Sequence, residues 1–250
     1  ADLPLEERVR EMSKSEVRSA ILKDQDVPVN APGAMANVHT LLAEVAPFLF
    51  PINEPIDYEP EPSGMFGALA ATKNQPIHEF MYDFLIQNGG RTFAIVLGSN
   101  YLTFNHDVIR TMLMDPNTIT GLSDAGAHVN LIFDAVAPTY QLTHWVRDRT
   151  RGERLPLEFI IEKQTRNNAE LYGLRDRGTL ELGKRADLNL IDFQNLQLGG
   201  LEVRNDLPAG GSRILQGATG YIGTWVNGVR TRANDTDTGA RPGRLGRAGV

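Results

Sequence analysis

Cysteine is absent from all 250 residues, which excludes a disulfide scaffold, cysteine-ligated zinc and thiol catalysis. No apolar run is long enough to cross a membrane and no secretory signal pattern is present, so a soluble, cytoplasmic protein with no membrane partner is expected. Positive charge is also scarce. The 25 Lys and Arg residues are outnumbered by 31 Asp and Glu, for a formal net charge of -6, which argues against nucleic acid or an anionic membrane as a partner. The basic residues near the end, Arg241, Arg244 and Arg247, lie in a Gly-rich tail, where a solvated tail is expected over an anion site. No internal repeat or low-complexity domain is found.

At this length the chain can bury a substantial core as one large domain or two smaller ones. Helical and strand patterns alternate in the first two thirds. Residues 5–22 and 77–87 carry apolar positions at helical spacing, and residues 92–97 read as a buried strand. Asn105 is placed to cap a helix over 106–114, Pro116 follows its end, and 118–122 reads as the next strand. Further helices are expected over 140–150 and 157–171, the second closed by Gly173. The five prolines of 47–62 argue against regular structure there and for a surface excursion, either passive or covering an active-site mouth. Beyond Gly173 the pattern changes to short strands at 179–182, 186–192 and 221–226. Asn227-Gly228 marks a two-residue hairpin, and 206–219 reads as a polar loop or irregular edge.

The richest stretch is Thr118-Ile119-Thr120-Gly121-Leu122-Ser123-Asp124-Ala125-Gly126-Ala127-His128. A β-branched run that leaves through Gly121, presents Asp124 and relaxes through Gly126 sets a carboxylate where a substrate or metal can reach it. The alternative is a turn in which Ser123 or Asp124 caps a following helix.

The helix ending Gln164-Thr165-Arg166-Asn167-Asn168-Ala169, the run Tyr172-Gly173-Leu174-Arg175-Asp176-Arg177-Gly178-Thr179-Leu180, and then Gly183-Lys184-Arg185-Ala186-Asp187-Leu188 resemble the C-terminal part of the amidohydrolase superfamily. The closing Val226-Asn227-Gly228 and Gly239-Ala240-Arg241-Pro242-Gly243-Arg244 resemble its N-acyl-D-amino-acid deacylase (D-aminoacylase) branch. The resemblance implies an α/β fold: the C-terminal part of a (β/α)8 TIM-type barrel over residues 1–172, then part of a small β-sandwich and a tail over 173–250. It implies a zinc-dependent hydrolase of carbon-nitrogen amide bonds, with one or two zinc ions and a small-molecule amide substrate. Enzymes of this type carry a His-x-His pair, a bridging side chain and two later single histidines. The five histidines here, His39, His78, His106, His128 and His144, include no such pair. Most zinc ligands are therefore expected outside this chain, in an N-terminal barrel segment acting as its partner, and residue 1 is not expected to be a natural start. A barrel half would also leave an apolar seam, so association into a homo-oligomer is expected.

The resemblance assigns Asp124 to the end of the eighth strand, as the acid/base that takes the proton of the attacking water and as a metal ligand. His128 is the candidate substrate-binding residue on the same loop, although the arginine usual in this branch is missing after it, which loosens the tie to acyl amino acids. Asn100 and Tyr101 follow the strand at 92–97 and would line the substrate pocket. His39 and His78 are expected to be structural or exposed, His106 a first-turn surface residue, and His144 a packed imidazole. Arg147, Arg149 and Arg151 read as a solvated basic face. Asp187 is expected to fix a turn by accepting backbone amides. The other open functions are hydrolysis of a cyclic or other small amide, and a non-catalytic fragment that lacks the metal-binding histidines.

Overall fold

A computed structural model describes residues 3–24, 38–121, 123–126 and 130–245. The chain forms two compact units, residues 1–106 and 107–250.

In the first unit, the single helix expected over 5–22 is two helices, α1 (Leu5–Met12) and α2 (Ser15–Lys23). The break has a local cause. Lys14 is extended, and the Ser13 hydroxyl joins its own amide on the Val9 carbonyl, at 2.7 and 2.9 Å, as the helix ends. After α3 (Val38–Val45), β1 (Leu49–Pro51) pairs antiparallel with β2 (Ala94–Val96), in the register Leu49 with Val96 and Pro51 with Ala94. The proline-rich stretch thus does contain a short strand, at the edge position where proline is tolerated. The antiparallel pairing also differs from the parallel β/α series the pattern suggested. Between the two strands lie α4 (Phe66–Thr72) and α5 (Ile77–Leu85). Phe66, Ala70 and Phe80 form their common core, with Phe66 edge-on to Phe80 at a centroid distance of 5.2 Å. Arg18 ties α2 to α5 through both oxygens of Asp83, at 2.8 and 2.9 Å, and through Glu79 at 3.1 Å. The Tyr82 hydroxyl donates to the Met12 carbonyl at the end of α1.

The second unit opens with α6 (Asp107–Met114). The helix expected over 140–150 starts earlier, as α7 (Ala137–Tyr140) with Pro138 in its first turn, and widens into a π-helix over Gln141–Asp148. Two helices replace the one expected over 157–171: α8 (Leu157–Gln164) and α9 (Arg166–Leu171). They part at Thr165, whose hydroxyl bonds the Ile161 carbonyl at 2.6 Å. Gly173 ends α9 as expected. Its φ of 67° lets its own amide reach the Glu170 carbonyl and the Leu174 amide reach the Ala169 carbonyl, the paired bonds of a Schellman cap. Leu142, Trp145, Leu155, Ile160 and Leu196 form the core of this unit.

The strands follow α9. β3 (Leu188–Ile191), β6 (Tyr221–Val226), β7 (Val229–Ala233) and β8 (Thr236–Asp237) form one antiparallel sheet in that order, and β4 (Gln197–Arg204) with β5 (Arg213–Thr219) forms another. The expected hairpin is present. Val226 pairs with Val229 across Asn227 and Gly228, which take φ values of 52° and 76°, the left-handed pair this turn requires. Residues 213–219, expected as loop, form β5 because β4 lies beside them.

Two expected strands do not form. Residues 179–182 belong to no sheet among the described residues, and Leu180 and Leu182 are exposed. Residues 118–121 are likewise unpaired with any strand; helix side chains take up their polar groups instead. The described residues mix helix and sheet, contain no closed barrel, and beyond α9 hold two separate antiparallel sheets.

Candidate active site

Asp124 sits on an exposed turn. That turn is held from both chain directions, which matters because a carboxylate can serve a reaction only if its backbone is fixed. On the C-terminal side Asp134 is the anchor. Its carboxylate accepts the Ala125 amide at 2.9 Å and the Asp124 amide at 3.4 Å. Among the described residues, no hydrogen-bond donor engages the Asp124 carboxylate itself. Backbone held and side chain free is the arrangement expected of an acid or base that meets a substrate.

On the N-terminal side the anchors come from α8 and α9. The Lys163 ammonium donates to the Thr118 carbonyl at 2.5 Å, the Thr118 hydroxyl at 2.9 Å and the Asp115 carbonyl at 3.3 Å. Asn168 donates to the Thr120 hydroxyl at 2.9 Å, and that hydroxyl reaches the Lys163 carbonyl at 3.3 Å. Lys163 is only 3% exposed, and burial pulls its ammonium below the ordinary lysine range.

A cavity of about 230 Å³ opens beside this turn, lined by Ala125, Gly126, Ile132 and Phe133 and by Arg213 and Leu215 of β5. Its walls are chiefly apolar. Arg213 is fixed there by a two-pronged pair with Asp206, at 2.7 and 2.6 Å. The fork lowers the Asp206 carboxyl below its usual range and raises the guanidinium.

The other sequence candidates are placed as follows. His128 lies outside the described residues. Asn100 is exposed with φ 64°, a turn conformation asparagine tolerates. Tyr101 is 3% exposed, packs edge-on to Phe50, and donates its hydroxyl to the Pro60 carbonyl at 2.6 Å. His39 falls on α3, and His78 is exposed on α5. His144 stacks on Tyr140 at 4.7 Å and meets Trp145 edge-on, the packed imidazole expected. Arg149 is a correction. Rather than a solvated charge it is fully buried, over the Trp145 ring at 4.8 Å and paired with Asp107 at 2.7 Å. Asp187 does accept a backbone amide, that of Asn227 at 2.6 Å, so it supports the hairpin of the neighbouring strands rather than its own turn.

His106 is a second correction. It is buried, not a surface residue, and belongs with Glu59. Glu59 Oε1 accepts the His106 amide at 2.7 Å, and Glu59 Oε2 lies 4.0 Å from the His106 Nδ1. Tyr101 packs edge-on to the imidazole at 5.1 Å. A buried carboxylate beside a buried imidazole, in a chain without thiols, has the donor chemistry of a zinc ligand pair or of an acid orienting a ligating histidine. Sequence reasoning did not find Glu59, which lies 47 residues before His106 in the irregular proline-rich stretch.

No helix of the described residues is long and apolar enough to cross a membrane. No curated protein and no solved structure gives a significant match to the chain. A family profile does match: residues 65–232, well over half of the 250, fit the Amidohydrolase family. That family is built on a TIM-barrel-type fold and hydrolyses amide-type bonds. The match takes in the Asp124 turn, both of its anchors and the strands through β6, and on that evidence the chain belongs to the Amidohydrolase family.

Proposed function

We propose that this chain carries the proton-transfer half of a zinc-dependent deacylase acting on N-acyl-D-amino acids, with residues 1–172 contributing to its barrel and 173–250 to its β-domain. The supporting observation is Asp124, an exposed carboxylate whose own backbone amide is held by Asp134 while no described donor neutralises its oxygens. When bound, zinc supplies the lowered water pKa and the carbonyl polarisation that amide hydrolysis needs. Asp124 takes the proton from the attacking water and delivers it to the leaving nitrogen, so one carboxylate acts as base and then as acid. Asp124 is also the proposed metal ligand on this turn. Glu59 and His106 fit the donor chemistry of part of such a site. The remaining ligands are assigned to the complete enzyme, in which this chain works with an N-terminal barrel segment.

His128 and the apolar cavity beside Ala125 are proposed to receive the substrate. The absence of an arginine after His128 favours a second reading, hydrolysis of a cyclic or other small amide, because the loop lacks the side chain that would pair with a substrate carboxylate two-pronged. Turnover of an N-acetyl-D-amino acid and of a cyclic imide by the complete enzyme separates the two. Asp124→Asn should lower kcat by about 10³-fold or more with bound zinc measured alongside. Full turnover by that variant removes Asp124 from the chemistry.

A further inference from the structure

Lys163 is buried on α8, and all three acceptors of its ammonium are neutral: the Asp115 carbonyl, the Thr118 carbonyl and the Thr118 hydroxyl. Among the described residues no salt bridge reaches it; the Asp115 carboxylate acts on it only through a Coulombic pull, and its ammonium lies 5.9 Å from the centre of the Phe159 ring. Burying an ammonium this way is costly unless every donor is used. Here each acceptor belongs to one short piece of chain. Asp115 and Thr118 bracket a tight turn, in which the Thr118 amide also bonds the Asp115 carbonyl at 3.2 Å. Two residues further on, Asn168 and the Lys163 carbonyl hold the Thr120 hydroxyl from the same pair of helices.

A segment with no strand partner is therefore fixed along 115–120 by two side chains of α8 and α9. Asp124 follows four residues after Thr120. From the other side, Asp134 holds the amides of Asp124 and Ala125. A lysine that served only the fold could be satisfied at a helix end or by a carboxylate; this one spends its donors on the approach to one exposed acid.

We propose that Lys163 is a positioning residue for Asp124: by fixing residues 115–120 against α8 it sets where the Asp124 carboxylate is presented. The inference rests on the reading of Asp124 as the proton-transferring group. The hydroxyl pair of Thr120 and Asn168 is the second point of the same hold, so weakening either point acts in the same direction.

The test compares wild type, Lys163→Met and Thr118→Val in the full-length enzyme, with Asp124→Asn as reference. Lys163→Met keeps the length and apolar stem but removes the donors. Thr118→Val removes one acceptor and is the milder variant should Lys163→Met fold poorly. Amide hydrogen exchange is read across the chain, and kcat and KM are measured on whichever amide the enzyme turns over. Expected are faster exchange confined to 115–126 and a kcat lowered by about 10–100-fold in Lys163→Met, since a misplacement near 1 Å costs rate on that scale. KM should stay within about threefold, and Thr118→Val should follow in the same direction by a smaller factor. Unchanged exchange over 115–126 overturns the proposal, as does faster exchange throughout the chain with KM and kcat changing together. Local loosening with normal kcat overturns it too, provided Asp124→Asn is inactive. If Asp124→Asn is itself active, the reading of Asp124 has failed, and the proposal that rests on it falls with it.

Discussion

Ile160 and Ile161 are neighbours on α8 and differ in the one respect that decides what each contributes. Ile160 is 0% exposed within the core of Leu142, Trp145, Leu155 and Leu196, whereas Ile161 is 41% exposed. Truncating Ile160 to alanine removes three carbons from that core, and at about 0.8 kcal/mol per buried methylene the transfer loss is about 2.4 kcal/mol. Trp145 and Leu196 are themselves enclosed, so the surroundings relax only in part and the cavity raises the cost to about 3–4 kcal/mol. Ile161→Ala removes the same three carbons from a position already in water and should cost under about 1 kcal/mol. The gain in helix propensity is common to both variants and cancels in the comparison. Urea unfolding followed by tryptophan fluorescence is the assay, because Trp145 stands in the same core. With a slope of about 2 kcal/mol/M, Ile160→Ala lowers the midpoint by about 1.5 M and Ile161→Ala by less than about 0.5 M. Equal shifts, or a larger one for Ile161→Ala, would refute this assignment of the two faces of α8.

In the first unit, Arg18→Ala should lower stability only slightly, because the fork to Asp83 and Glu79 is about one third exposed. Its pH dependence has a definite sign. Arg18 holds the Asp83 carboxyl below its ordinary value of 3.8, so the stabilisation is present above that pH and is lost as pH falls through the lowered value. The wild-type advantage over Arg18→Ala in thermal unfolding should therefore shrink in acid; an advantage that grows there contradicts the pairing. Tyr82→Phe deletes the hydroxyl that caps α1 at Met12 and should cost about 1 kcal/mol, with the added amide exchange confined to α1 and α2. Exchange confined to α5 instead would show that the bond does not hold α1. On β8, the Arg241 guanidinium, helped by the Gly239 amide, lowers the Asp237 carboxyl to about 2. In Arg241→Ala a carboxyl titration by NMR should find it moved back toward 3.8, and an unmoved value would exclude the Arg241 contact.

The features legible in the sequence were those written in consecutive residues. Gly173 as a helix end, the Asn227-Gly228 hairpin and the strand over 221–226 each depend on backbone preferences of a few adjacent side chains, and all three occur. Features that depend on a partner were not legible. Residues 118–121 have the β-branched composition of a strand, but composition cannot supply a neighbour to pair with, and Lys163 and Asn168 occupy their polar groups instead. The reverse holds at 213–219, where a polar, Gly-rich stretch becomes a strand because β4 lies alongside. Breaks at Ser13 and Thr165 carry a local signal: a hydroxyl residue inside a long helical pattern, whose side chain joins its own amide on the carbonyl four residues back.

The same distinction governs the candidate site. Asp124 announces itself, since a Ser-Asp turn after a β-branched run is local. The residues that give it a fixed address do not: Asp134 is ten residues away and Lys163 thirty-nine by chain, and neither carries a motif. Glu59 and His106 show why such partners escape a sequence reading. One Glu59 oxygen accepts the His106 amide, while the second faces the imidazole. Asp134 places both oxygens on the backbone of the Asp124 turn. The two acids are therefore set to different surroundings, Glu59 to the amide and ring of one histidine and Asp134 to two backbone amides, a division made by neighbours and not by residue type.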